Sequence, residues 1–123
     1  MRSLRIWLAA FGWVLTATPA VAHHGSAIFD LGRTLTMQAT VVEWTWTNPH
    51  CYLKFDVTEG NGRNRHWIAE TTSPSRMLAM GWMKSSLAPG DRVTIAVVPV
   101  KDGRPAGRVV RVTLPDGTVL SAQ

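Results

Sequence analysis

The chain has 123 residues, with 13 lysines and arginines against eight aspartates and glutamates, a net charge of +5. That length suits a single domain, and the positive charge is too mild and too scattered for a nucleic-acid-binding surface. The only cysteine, Cys51, excludes a disulfide-stapled scaffold, so stability has to come from packing.

The first 22 residues follow the order of a secretory signal. Arg2 and Arg5 make a positive start, and Ile6 to Leu15 is an uncharged apolar run. Pro19 breaks any helix, and Ala20-Val21-Ala22 supplies the small residues a signal peptidase needs. Cleavage is predicted between Ala22 and His23. The run is about half of the roughly 20 apolar residues a spanning helix needs, so a soluble exported form is favoured over a membrane anchor. No cysteine sits near the cut, which argues against a lipoprotein. The mature chain, residues 23–123, is expected in the periplasm or outside the cell. It carries 11 basic and eight acidic side chains and four tryptophans: Trp44, Trp46, Trp67 and Trp82.

Ile28 and Phe29 are candidates to dock the start of the mature chain on the domain. Thr36 to Trp46 is rich in β-branched and aromatic residues. Its apolar face switches from Met37, Ala39 and Val41 to Val42, Trp44 and Trp46, which predicts a long, bent strand with a bulge. Asn48-Pro49 ends it in a turn. Cys51 to Val57 alternates, with Cys51, Leu53, Phe55 and Val57 inward. A Gly-Asn turn at residues 59–62 leads into a returning strand over Arg65–Glu70.

One short helix follows, of about two turns. Ser73 is its predicted N-cap, Pro74 its first residue, and Gly81 its stop. Met77, Leu78 and Met80 lie in or at the end of it. After the turn at Ala88–Asp91, strands are predicted over Arg92–Val100 and Gly107–Leu114, joined by a turn at Lys101–Arg104. Val119-Leu120 adds a short edge. Five strands with a helix between the third and fourth is the chain order of an all-β, five-stranded OB-like barrel. A β-sandwich with an inserted helix is the alternative.

Several of these residues together resemble an exported bacterial family of uncharacterised function, DUF6152. They are His23-His24 behind the signal, Phe29-Asp30, Val42-Glu43-Trp44, Asn48-Pro49-His50, Trp67 with Glu70, Gly81-Trp82, and Leu87 to Asp91. The resemblance covers nearly all of the mature chain. The second tryptophan in Trp44-Thr45-Trp46-Thr47 departs from the pattern. The family implies export and this fold, and no activity.

The sharpest chemical feature is His23, the first residue of the predicted mature chain. An amino-terminal histidine can hold a metal through its α-amino nitrogen and its ring together, and that amine loses its proton near pH 7.7–8.0. With His24 and His50 as further ligands, the set is rich in nitrogen and suits copper. The plain alternative is a pair of solvated histidines, with His50 capping an open carbonyl at its turn. His66 is read as an outward, solvated strand residue and Cys51 as a buried hydrophobe. Met77, Met80 and Met83, spaced by three, are read as core rather than as Cu(I) ligands. Glu43 and Glu70 have no visible common site. There is no nucleophile triad, phosphate loop, CxxC or HExxH motif, so an enzyme is not expected.

The function expected is an exported binding module for a small ligand or a protein. Its ligand groove is predicted from Trp44, Trp46, Trp67 and Glu70. The alternative is a copper-binding protein built on His23, His24 and His50.

Overall fold

The computed structural model describes residues 25–123. The predicted signal segment, its cleavage point, His23 and His24 lie outside the described residues. The described chain forms β1 (Leu35–Thr45), β2 (Tyr52–Thr58), β3 (Asn64–Glu70), α1 (Pro74–Ala79), β4 (Arg92–Pro99), β5 (Ala106–Thr113) and β6 (Val119–Ser121).

β1 pairs antiparallel with both β2 and β4. β2 continues to β3, and β4 to β5. β3 and β5 then meet in parallel, with Ile68, Ala69 and Glu70 opposite Ala106, Gly107 and Arg108. That last pairing closes a five-stranded barrel, with the one helix between β3 and β4, as the element order predicts. β6 adds a short hairpin to the outside of β5.

The bend in β1 has a local cause. Val41 pairs with Phe55, yet Glu43 pairs with the adjacent Lys54, so Val42 is an extra residue, a β-bulge. Without it Trp44 would face outward and Glu43 inward. With it Trp44 returns to the core side opposite Leu53, and Val42 is left 46% exposed.

The core follows the alternation in β2, and an extra residue at Val110 resets the phase in β5. Leu53 and Phe55 from β2, Ile95 and Val97 from β4, and Val109 and Val112 from β5 are fully buried. Met77 and Trp82 join the same cluster from α1 and the segment after it. Phe29 forms a second, smaller cluster with Val98 and Val100, and bridges Val100 as an isolated ladder pair.

The helix is shorter than its pattern suggests. It spans six residues, and Ser73 precedes it in extended conformation without a side-chain cap. Met80 is its C-cap, and Gly81 takes φ +86°, a value that favours glycine. Because the helix stops there, the spacing of three does not carry Met83 onto its inner face. Met77 is buried, whereas Leu78 and Met83 are more than half exposed. No helix among the described residues is long and apolar enough to cross a membrane.

Candidate functional site

Two surfaces on the outside of the barrel gather side chains that the fold itself does not require. The first is an apolar cavity of about 460 Å³ on the outer face of β1–β2–β3. Strand alternation turns Lys54 and Asp56 outward from β2, and His66 and Ile68 outward from β3. They stand as cross-strand pairs, Lys54 with Ile68 and Asp56 with His66. The bulged Val42 enters from β1, and the β4–β5 connection walls the cavity with Arg104 and Pro105. Val42 and Ile68, both large and apolar, are 46% and 42% exposed.

The charged side chains around this cavity have partners within the protein. Lys54 Nζ donates to Glu43 Oε2 at 2.6 Å. This contact, then the hydroxyl of Thr45, holds the Glu43 carboxyl below its usual range. The His66 ring bonds the Asp56 carboxylate through Nδ1. Arg104 Nε donates to Asp102 Oδ2 at 2.7 Å.

The second surface is polar and centres on Glu70, at the end of β3. Arg108, its partner across the parallel closure, donates from Nη2 to Glu70 Oε1 at 3.0 Å. Arg108 Nε reaches the same oxygen at 3.3 Å. The other carboxylate oxygen, Oε2, lies 3.6 Å from His50 Nδ1. His50 follows the cis Asn48–Pro49 peptide, and its side chain is 44% exposed against 21% for Glu70. Both therefore face solvent across a cavity of about 260 Å³ that Arg76, Met80 and Arg108 also line.

Arg108 also binds the start of the described chain. Its Nη2 donates to the Gly25 carbonyl at 3.2 Å, and its guanidinium lies 4.4 Å over the ring of Phe29. Gly25 and Glu70 thus share one guanidinium nitrogen.

The residues singled out in the sequence divide among several places. Trp44 and Trp46 pack edge to face at 5.8 Å, and Trp44 lies 5.5 Å from the buried Trp82. Trp67 is buried and stacks on Phe55, and its exposed part lines the apolar cavity. Glu70 belongs to the polar cluster. Of the four residues predicted for the groove, Trp67 lines the apolar cavity and Glu70 the polar one, while Trp44 and Trp46 are half-buried against the core. The bulge sets Trp44 on the core side, opposite Leu53.

Of the predicted metal ligands, His50 is exposed and beside Glu70, while His23 and His24 lie outside the described residues. Among the described residues, no three histidine, cysteine, aspartate or glutamate side chains form a metal-holding group. Arg108 was not legible as a site residue. It reads as an outward strand position, and only the parallel β3–β5 pairing sets it against Glu70.

These features define a small closed β-barrel of the OB type, with one short helix and two accessible outer surfaces. Residues 12–109 match DUF6152, a family of unknown function, and the chain belongs to that family. No curated protein and no solved structure matches the chain.

Proposed function

We propose that the mature protein is an exported binding module whose ligand lies in the apolar cavity over β2 and β3. The observation that carries this reading is the pairing of exposed apolar side chains, Val42 and Ile68, with a rim whose cations Lys54 and Arg104 are already paired with Glu43 and Asp102. Exposed apolar patches of this kind commonly mark binding surfaces. The face over strands 2 and 3, flanked by the β4–β5 loop, is also where OB barrels hold their ligands, which supports the reading by analogy of fold only. A rim whose cations already have partners favours an uncharged, apolar small molecule, because an anionic one would have to break an existing pair or leave its own charge unmatched.

The test is fluorescence titration with the neutral probe N-phenyl-1-naphthylamine. The wild-type protein is expected to enhance its emission saturably. Ile68→Asp, which replaces an apolar wall of the cavity with a carboxylate, is expected to weaken binding about tenfold or more. Equal enhancement by both proteins defeats the reading.

A second reading, copper binding through the mature amino terminus, has a specific observation in its favour. The carbonyl of Gly25, two residues after His23, accepts from the same Arg108 nitrogen that donates to Glu70, and Glu70 neighbours His50. If cleavage follows Ala22, the free amine is tethered within roughly 7 Å of extended chain from Gly25. Blocking the amine with one added residue is expected to abolish tight Cu(II) binding.

A further inference from the structure

A smaller hollow of about 120 Å³ lies next to the apolar cavity and shares Trp67 and Arg104 with it. The charged side chains that line it are all arginines: Arg33, Arg65 and Arg104. We infer that these three form an oxyanion site, separate from the ligand cavity, that takes a phosphate group. This goes beyond the binding of an apolar ligand and does not depend on it.

The three arginines stand far apart in the sequence, and the barrel gathers them. Arg33 closes the turn before β1. Asp30 N–H bonds the Pro99 carbonyl at 2.9 Å, and Arg33 N–H bonds the Asp30 carbonyl at 3.0 Å, which pins this turn to the end of β4. Arg65 belongs to β3, and its Nη2 donates to the Gly103 carbonyl at 3.1 Å. That contact ties it to the β4–β5 turn, which carries Arg104. The Arg65 guanidinium also lies 5.7 Å over the ring of Trp67. The backbone of Arg33 and the guanidinium of Arg65 are thus placed before any ligand arrives.

Much of the donor capacity of this group is unused. The side chain of Arg33 is in no hydrogen bond or ion pair among the described residues. Asp102 takes Arg104 through Nε at 2.7 Å, and the two terminal nitrogens of Arg104 make no hydrogen bond among the described residues. Arg65 Nη1 lies 3.8 Å from Glu59 Oε1, and these side chains are 44% and 42% exposed. Exposed pairs of this kind contribute little, so Glu59 does not keep Arg65 from an incoming anion. Three like charges lining one hollow with no carboxylate among them repel one another, a cost that an anion relieves.

The size and chemistry of the hollow narrow the ligand. Its volume is well below the roughly 300–1,000 Å³ that encloses a whole drug-sized molecule, so it suits one charged group. Guanidinium forks match the paired oxygens of a phosphate. A phosphate monoester carries about −1.5 to −2 near neutral pH, and three arginines suit that charge better than the single charge of a carboxylate. The buried Trp67 and Val100, also in the lining, exclude water from one side and strengthen the attraction. The phosphate can be a free anion or part of a lipid headgroup, and the test separates the two.

Isothermal titration calorimetry with inorganic phosphate, at pH 7.5 and low ionic strength, measures the site. The wild-type protein is expected to bind one phosphate saturably. Arg33→Gln, Arg65→Gln and Arg104→Gln are each expected to weaken binding about tenfold, the effect of losing one hydrogen bond to a charged group. Arg111→Gln, in an exposed position of β5 outside the hollow, removes the same charge and is expected to change binding by less than about twofold. Circular dichroism checks that each variant is folded. Cosedimentation with phosphatidylglycerol vesicles is the second arm.

Phosphate binding without vesicle binding assigns the site to a free anion. Vesicle binding that the three variants lose and Arg111→Gln keeps assigns it to a lipid headgroup. No binding in either arm, or an equal loss in Arg111→Gln, overturns the inference. Arg33 does not line the apolar cavity, so Arg33→Gln is expected to bind the neutral naphthylamine probe as wild type does, and failure of the anion site leaves the reading of the cavity intact.

Discussion

The indole N–H of Trp82 donates to the carbonyl of Ser121 at 2.6 Å, joining the segment behind the helix to the last strand. Trp82 has no solvent exposure and also packs against Trp44, 5.5 Å away. One side chain therefore connects β1, the helical connection and β6. Trp82→Phe keeps most of the packing and loses the hydrogen bond, at a cost of about 1 kcal/mol. Trp82→Ala removes both and is expected to cost about 3–5 kcal/mol. Urea unfolding measures the two. A Trp82→Ala midpoint equal to wild type contradicts this account of the core.

Gly107 lies at the seam where the barrel closes. A Cβ built on it would stand 2.6 Å from the Val98 carbonyl oxygen, a backbone atom that cannot move aside alone. Gly107→Ala must therefore push β4 and β5 apart next to the β3–β5 pairing. A loss of about 1–3 kcal/mol is expected, accompanied by faster amide exchange at Ile68, whose N–H bonds the Pro105 carbonyl. Unchanged exchange there rules out strain at the seam.

Burial raises the Cys51 thiol above its ordinary pKa, an effect that outweighs the opposing contacts from Thr47 and Thr71. The unfolded chain then loses the thiol proton at lower pH than the folded one. The contribution is fully present below the unfolded thiol pKa and is lost as pH rises toward the folded value. Stability is expected to fall with rising pH in the alkaline range by more in wild type than in Cys51→Ala. At neutral pH, iodoacetamide should label Cys51 only under unfolding conditions. Rapid labelling of the native protein shows that the thiol is accessible.

Phe29 is 2% exposed and anchors residues 25–33 to the barrel. Beside it, Asp30 N–H bonds the Pro99 carbonyl, and Lys101 N–H bonds that of Ile28. Phe29→Ala empties the small Val98–Val100 cluster and removes the ring under Arg108. Because that cluster is separate from the main core, the expected effect is local. Protease sensitivity and amide exchange should rise over residues 25–33, with a global cost below the roughly 3–5 kcal/mol of a main-core aromatic. Global unfolding of the variant contradicts the separation of the two clusters.

Periodicity alone was enough for most of the architecture. Alternation in Cys51–Val57 identified the inward residues Cys51, Leu53 and Phe55, whereas in β5 an extra residue at Val110 resets the phase so that Val109 and Val112 are both buried. Pro74 and Gly81 bracketed the helix, and the apolar switch at Val41-Val42 announced the bulge. These signals are local, since each is written within about ten residues by backbone geometry and side-chain burial. The element order then left few ways to close a sheet.

The site was legible only in pieces. His50 could be singled out by its chemistry, but its neighbour could not, because Glu70 is 20 residues away and arrives only through the β2–β3 hairpin. Arg108 is farther still, brought to Glu70 by a parallel pairing that leaves no mark in either strand's own pattern. Likewise, four tryptophans could be counted after residue 22, but the side that Trp44 takes depended on one inserted residue in β1. Strand phase is a property of the segment, whereas the meeting of side chains from different strands is a property of the register between them. Only the closed barrel sets that register.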